Sequence, residues 1–102
     1  ISRRHITILG RLDRYQVRTG FEVTPVVGLV TPPFEIRRDE YEVAEVFEVP
    51  LNFLMDPINH EKQSREYLGK NRHFFAISYK GYYIWGATAG MLVNLYQILI
   101  EL

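Results

Sequence analysis

The hydrophobic and polar positions divide the chain into runs whose spacing changes along its length. The longest apolar run is Tyr82 to Leu102, YYIWGATAGMLVNLYQILIEL, whose first nineteen residues carry no charge. Read whole, it is long enough for a membrane span, and Gly86 and Gly90 offer the GxxxG spacing of closely packed helices. Read in two parts, it fits better. Tyr82 to Trp85 are aromatic or β-branched and favour a strand. Gly86 punctuates, and good helix formers follow from Ala87, so each part is too short to cross a bilayer. Within that helix Asn94, Gln97 and Glu101 fall at i, i+3, i+7 and form one narrow polar stripe, so almost everything else on it is expected to be covered.

Earlier runs read mainly as strands. His5 to Leu12 is β-branched, with a kink expected at Gly10, and Thr19 with Gly20 marks a tight connection. Phe21 to Val30 is a second strand in which Pro25 implies an edge position or a bulge that re-aims the chain. Thr31, Pro32 and Pro33 end it, and Phe34 to Glu42 is charged enough for a surface connection. In Val43 to Val49, Val43, Glu45, Phe47 and Val49 share one face, and Ala44, Val46 and Glu48 share the other. Pro50 stops that strand, and Leu51 to Met55 is read as a short helix closed by Asp56 and Pro57. From Ile58 to Arg72 the periodicity lapses, which predicts a polar loop, and loops this long are commonly functional. His73 to Tyr79 is a clear strand, with Lys80 and Gly81 as the two-residue turn to Tyr82.

With 102 residues there is room for one domain and a small core, and 47% apolar with 24% charged residues is a globular profile. Twelve Lys and Arg balance twelve Asp and Glu, so no global charge draws the chain to nucleic acid or an anionic membrane. The absence of cysteine excludes disulfides, thiolate metal sites and a Cys nucleophile. The first residues lack the apolar core of a signal peptide. They also lack a starting Met, and the chain is expected to begin partway into a larger protein.

Several chemical motifs can be weighed directly. His60-Glu61 opens like a zincin helix, but Ser64 stands where the second histidine is needed. No GxSxG, Walker A loop or GxGxxG occurs. Asp39 with Glu40 reads as a solvated turn, whereas Glu45 and Glu48 are either strand-end carboxylates beside a site or surface groups. Arg65, Lys70, Arg72 and His73 are suited to clamping phosphate, with ordinary loop solvation as the simpler reading of each. Phe74, Phe75, Tyr79, Tyr82, Tyr83 and Trp85 are suited to stacking on a base or lining an acyl pocket, or are simply core.

Taken together, LGRLDRY, TGFEVTPVVGLV, EVAEVFEVPLNFLMDP and HFFAISYKGYYIWGATAGMLVNL, in that order and spacing, resemble the C-terminal half of Nudix hydrolases of the coenzyme A pyrophosphatase type. The resemblance implies an α+β fold, an α/β/α sandwich with a mixed sheet and a C-terminal helix, of which residues 1–102 form the C-terminal part of a single Nudix domain. It also implies cleavage of the diphosphate of coenzyme A or acyl-CoA to adenosine 3′,5′-bisphosphate and a 4′-phosphopantetheine product, with Mg²⁺ or Mn²⁺. The family's catalytic signature is Gly, then Glu, then Arg-Glu, an aliphatic residue, any residue, Glu-Glu, any residue, Gly and an aliphatic residue. It is not in this chain. Arg65 and Glu66 begin an echo, but Tyr67-Leu68-Gly69-Lys70 supplies no Glu-Glu pair.

The metal ligands are therefore expected in the missing box, with none in this chain, and the box is expected to end at or just before Ile1. On the same resemblance, Glu61 or Glu66 is expected as a water-orienting base, Lys70, Arg72 and His73 as phosphate contacts, and Phe21 with Thr24 on the nucleotide side. The loop Ile58 to Arg72 is expected to lie over the substrate. The expected setting is cytosolic, with a small CoA-like nucleotide substrate and neither a nucleic-acid nor a membrane partner. Apolar faces that otherwise pack against the first half imply self-association, and the chain alone is expected to be inactive. Two other readings remain open: a Nudix enzyme for another nucleoside diphosphate derivative, and a non-catalytic interaction or membrane-associated module using the C-terminal helix.

Overall fold

The computed structural model describes residues 3–16, 20–32, 36 and 46–102. The first part is a long antiparallel ribbon. Strand β1 (Ile6–Arg11) pairs with β4 (Val26–Val30), and β2 (Tyr15–Gln16) pairs with β3 (Glu22–Val23). The two pairings are joined at the break by Leu12 N–H donating to Pro25 C=O at 2.9 Å. Proline cannot donate to a ladder, so the second strand is broken at Thr24 and Pro25 as expected. The kink expected at Gly10 is a bulge: Ile8 opposes Gly28 and Gly10 opposes Val27, which leaves Leu9 unmatched.

The second part is a three-stranded meander, β5 (Glu61–Tyr67), β6 (Lys70–Tyr79) and β7 (Tyr82–Trp85), followed by helix α2 (Ala87–Ile100). Lys80 and Gly81 have φ of 44° and 83°, the doubly left-handed turn that matches strand twist in a two-residue hairpin. Directly opposed residues share a face. One face of the meander therefore carries Arg65, Arg72, Lys70, Gln63, Phe74 and Trp85, and the other carries Glu66, His73, Ser64, Phe75, Ile77 and Tyr82.

Helix α2 covers the face of Phe75 and Ile77, with Phe75, Gly90 and Val93 lining one cleft. Ahead of the meander lie helix α1 (Leu51–Leu54) and a 3-10 turn (Pro57–Asn59). Phe53 meets Tyr79 edge to face at 4.8 Å, His60 meets Tyr96 at 5.1 Å, and Phe47 stacks on Tyr82 at 3.9 Å. The α1 carbonyls are closed by side chains: Asn59 Nδ2 donates to Phe53 C=O at 2.9 Å, and His60 Nε2–H donates to Leu54 C=O at 2.6 Å. Asp56 accepts from Ile58 N–H at 3.0 Å, which starts the turn that the sequence placed there.

The core is small. Among the described residues Ala76, Ile77, Ala89 and Val93 are its buried apolar members. The opposite face is open, with Trp85 at 57% and Tyr83 at 49% exposure. The radius of gyration of 15.4 Å exceeds the about 13 Å of a compact chain of this size.

Three expectations change. Residues 58–72 are not a loop: after the 3-10 turn they form β5, its turn and the start of β6. Their turn, Leu68-Gly69, has φ of 52° and 75° and repeats the geometry of Lys80-Gly81. Its flanks are polar on both faces, so no apolar period marked them as strands. Of the strand expected over Val43 to Val49, residues 43–45 lie outside the described residues, and Val46 to Val49 have no strand pairing. Finally, α2 is not covered all round, because Leu99 and Ile100 are 44% and 64% exposed. The connection expected over Phe34 to Glu42 also lies outside the described residues, apart from Ile36.

The two-part reading of the C-terminal run holds, since α2 has fourteen residues and no helix among the described residues is long and apolar enough to cross a membrane. The strand-to-helix switch depends on Gly86, whose φ of 68° and ψ of −136° are costly for any residue with a Cβ. Gly86→Ala is expected to lower unfolding free energy by about 1–3 kcal/mol in urea titrations. An unchanged midpoint would show that the turn relaxes.

Candidate functional site

Of the residues singled out in the sequence, Glu61, Glu66, Lys70, Arg72 and His73 all fall on the β5–β6 hairpin. The hairpin separates them by face. Arg65 stands directly opposite Arg72, and Lys70 lies on the same face two positions along, about 7 Å away. Among the described residues none of these three cations has an ion-pair partner. Two guanidinium groups opposed across a ladder repel each other. The face is thus primed for an anion that can accept from both, and phosphate is the usual such partner.

His73 points to the other face, opposite Ser64, where Glu66 also lies, opposite Asn71. Glu61 shares the cation face but sits four positions beyond Arg65, about 14 Å away. There its carboxylate accepts a hydrogen bond from Ser78 Oγ at 3.2 Å. Glu61 and Glu66 are therefore on opposite faces and about 17 Å apart along the strand. They do not converge on one ion. Among the described residues no three His, Asp or Glu side chains are grouped to hold a metal, so these residues do not fit the Mg²⁺ or Mn²⁺ that the resemblance implies. Phe21 and Thr24 flank β3 on the separate ribbon, both exposed, Phe21 at 72%. They are not on the hairpin that carries the cations.

A second arrangement escaped the sequence reading. A cleft of about 250 Å³ opens between α2, Phe75 and the segment Asp13 to Tyr15. Tyr15 lies against the helix so closely that a Cβ on Gly90 would come within 2.6 to 2.9 Å of its ring and hydroxyl, so glycine permits the approach. Asn94 and Gln97 line the cleft from the helix. The signal that could have found it was the polar stripe at Asn94 and Gln97. What the sequence lacked was the knowledge that Tyr15 folds back over it.

No protein-family model matches the chain. Among curated proteins it is similar to the uncharacterized Nudix hydrolase NudL of Enterobacter sp. (strain 638), 34% identical over 90 residues, which are 88% of this chain and 47% of that protein. The protein of the same name from Citrobacter koseri is 33% identical, and that from Escherichia coli (strain K12 / DH10B) is 32% identical, over the same shares of both chains. The chain spans about half the length of the curated relatives it matches. These likenesses support the Nudix superfamily for the chain and hydrolase chemistry for its longer relatives. Mixed strands with a C-terminal helix are compatible with an α+β fold of that kind.

The opposed arginines give a direct test of the hairpin register. Arg72→Glu is expected to replace repulsion from Arg65 with attraction, raising stability by about 0.2–1 kcal/mol at low salt and less at high salt. A melting temperature that does not rise, or a rise that is indifferent to salt, would place the two side chains apart.

Proposed function

We propose that the chain is the C-terminal, substrate-side half of a Nudix diphosphatase that cleaves coenzyme A or an acyl-CoA to adenosine 3′,5′-bisphosphate and (acyl-)4′-phosphopantetheine. The superfamily likeness supports the reaction class. The observation that carries the assignment to this chain is the row of Arg65, Lys70 and Arg72 on one face of the hairpin without counter-charge among the described residues. A substrate with several phosphates supplies the anions that such a row needs.

In this reading the hairpin binds and does not react. Lys70 and Arg72, with Arg65 added from the register, hold phosphate oxygens. His73 faces away from them and would need a separate contact. Glu61 is too far along the strand, and Glu66 is on the reverse face, to activate water at a phosphate held by that row. We therefore assign the general base and the carboxylates for a divalent ion to a Nudix box, whose signature the sequence does not contain. Hard divalent ions favour carboxylate oxygens, and polarisation of the diphosphate is what such an ion would supply.

The open faces carry a second consequence. Ile8, Leu9, Val26 and Leu29 of the first ribbon are between 55% and 64% exposed, and Trp85 adds to the uncovered face of the meander. Apolar surface on this scale is normally covered by protein. The reading therefore includes self-association of the chain on its own, in a cytosolic setting.

Three measurements test the proposal. The 102-residue chain is expected to show no coenzyme A turnover with Mg²⁺ or Mn²⁺, and hydrolysis at ordinary enzymatic rates would overturn the division of labour. In a full-length protein carrying a Nudix box ahead of this segment, Arg72→Ala is expected to raise KM about tenfold with little change in kcat, the loss of one charge-assisted contact. An unchanged KM removes Arg72 from the site. In sedimentation, the isolated chain is expected to associate as concentration rises; a sharp, concentration-independent monomer would contradict the covering argument.

A further inference from the structure

Strand β5 is an outer strand of the meander, and among the described residues nothing pairs with its far side. Its backbone groups can be assigned from the turn. A two-residue hairpin loop makes the flanking pair, here Tyr67 and Lys70, exchange both backbone bonds, and bonded pairs then alternate along the ladder. Arg65 with Arg72, Gln63 with Phe74 and Glu61 with Ala76 are therefore bonded pairs. An independent contact agrees: Phe75 C=O accepts from Gly86 N–H at 3.2 Å, on the β7 side, as the alternation requires. It follows that Lys62, Ser64 and Glu66 turn their N–H and C=O groups outward, and all three residues are exposed.

Natural edge strands are usually kept short, bulged, interrupted by proline or guarded by charge. Strand β5 has seven residues and no proline, and its register against β6 runs without a bulge. Charge remains as a possible guard, and the order of the charges decides what it guards against. When β5 is laid antiparallel on a second β5 with Ser64 opposite Ser64, Lys62 meets Glu66 of the second copy and Glu66 meets its Lys62. Those three positions are the ones with outward backbone groups, so each becomes a bonded pair, and Arg65 falls opposite Gln63 with no guanidinium against another. Opposite charges in directly opposed positions favour pairing. A slide of two positions toward the hairpin tip sets Arg65 against Arg65. A slide of two the other way carries Glu66 past the end of β5 and loses its bonds. The charges thus select one self-pairing and disfavour its neighbours.

We propose that β5 is a dimer edge at which two copies of this chain join antiparallel about Ser64 into one continuous sheet. The pairing is isologous and uses up both edges, so it closes at two copies. This differs from association through apolar faces, which neither fixes a register nor depends on Lys62 and Glu66. It also does not rest on the hydrolase reading, because it uses only the backbone and charges of β5.

The chain contains no cysteine, so single introduced cysteines report the contact directly. Directly opposed residues in a bonded pair have Cα atoms about 5.5 Å apart, within the span of a disulfide. Lys62 lies about 14 Å along the strand from Lys62 of the second copy, beyond that span. Under mild oxidation, Ser64→Cys is expected to form a disulfide dimer about tenfold or more faster than Lys62→Cys or Glu66→Cys alone, whereas an equal mixture of those two links as Ser64→Cys does. In the Ser64→Cys background at low salt, Lys62→Glu and Glu66→Lys are each expected to weaken the dimer about tenfold, and the two combined are expected to restore it. If a single charge variant unfolds, the mixture of Lys62→Cys and Glu66→Cys still reads the register. Ser64→Cys linking no faster than the other two alone, a mixture that stays unlinked, or a charge exchange without rescue would each overturn the proposal. So would a longer folded protein carrying this segment in which Ser64→Cys stays unlinked, since its edge is then taken by another strand.

Discussion

The described structure depends on how closely α2 can lie on the central strand β6. Among the described residues Ala89 and Val93 are the buried apolar residues that α2 brings to the Phe75 and Ile77 face of β6. Ile77 is the one large side chain among the described residues that is completely buried there. Burying such a side chain contributes about 1.5–3 kcal/mol. With so few buried apolar groups, the contact cannot be diluted without losing the element. The Gly86 turn sets its geometry, because it sends the chain from β7 directly into the helix while its N–H donates to Phe75 C=O at 3.2 Å.

That close approach also explains the position of the cleft. A helix drawn down onto β6 leaves its flank beside the end of the first ribbon, and Gly90 lets Tyr15 rest on the helix backbone. A side chain at that position would hold the ring away and fill the space. The flank that carries Asn94 and Gln97 is therefore shaped by two glycine requirements, one for the turn and one for the contact. Water can satisfy the carboxamides, so their placement adds little to stability.

Much of this was legible in the sequence wherever one face of an element was buried. His73 to Trp85 with its Lys80-Gly81 turn, the helix after Gly86, the break at Pro25 and the short helix after Pro50 all follow from apolar period or from proline and glycine chemistry. The β5 strand did not, because Lys62, Ser64 and Glu66 on one face and Arg65 and Gln63 on the other leave no period to read. Its turn, Leu68-Gly69, places a leucine 84% exposed at a left-handed position, where asparagine or aspartate would have marked the hairpin. The candidate site was legible as residue types and not as geometry. Arg65, Lys70, Arg72 and His73 stand out by charge, but only the register shows that three share a face and the fourth does not.

Register is thus the link between fold and function here. Because successive strand residues point to opposite faces, a slip of one position would move Lys70 and Arg72 to the helix side and turn Phe75 out to solvent. The pairing resists this at two points: the Lys80-Gly81 turn fixes β6 against β7, and Ile77 would lose its burial if the strand turned over. Toward Leu68 no buried apolar residue among the described ones enforces the pairing, and the opposed arginines weaken it. The hairpin is therefore firmly specified where it meets the helix and weakly specified where its cations gather. A bound phosphate would supply the missing counter-charge at that end, so in the proposed reading substrate binding and ordering of the hairpin tip are one event, and part of the binding energy is spent on that ordering.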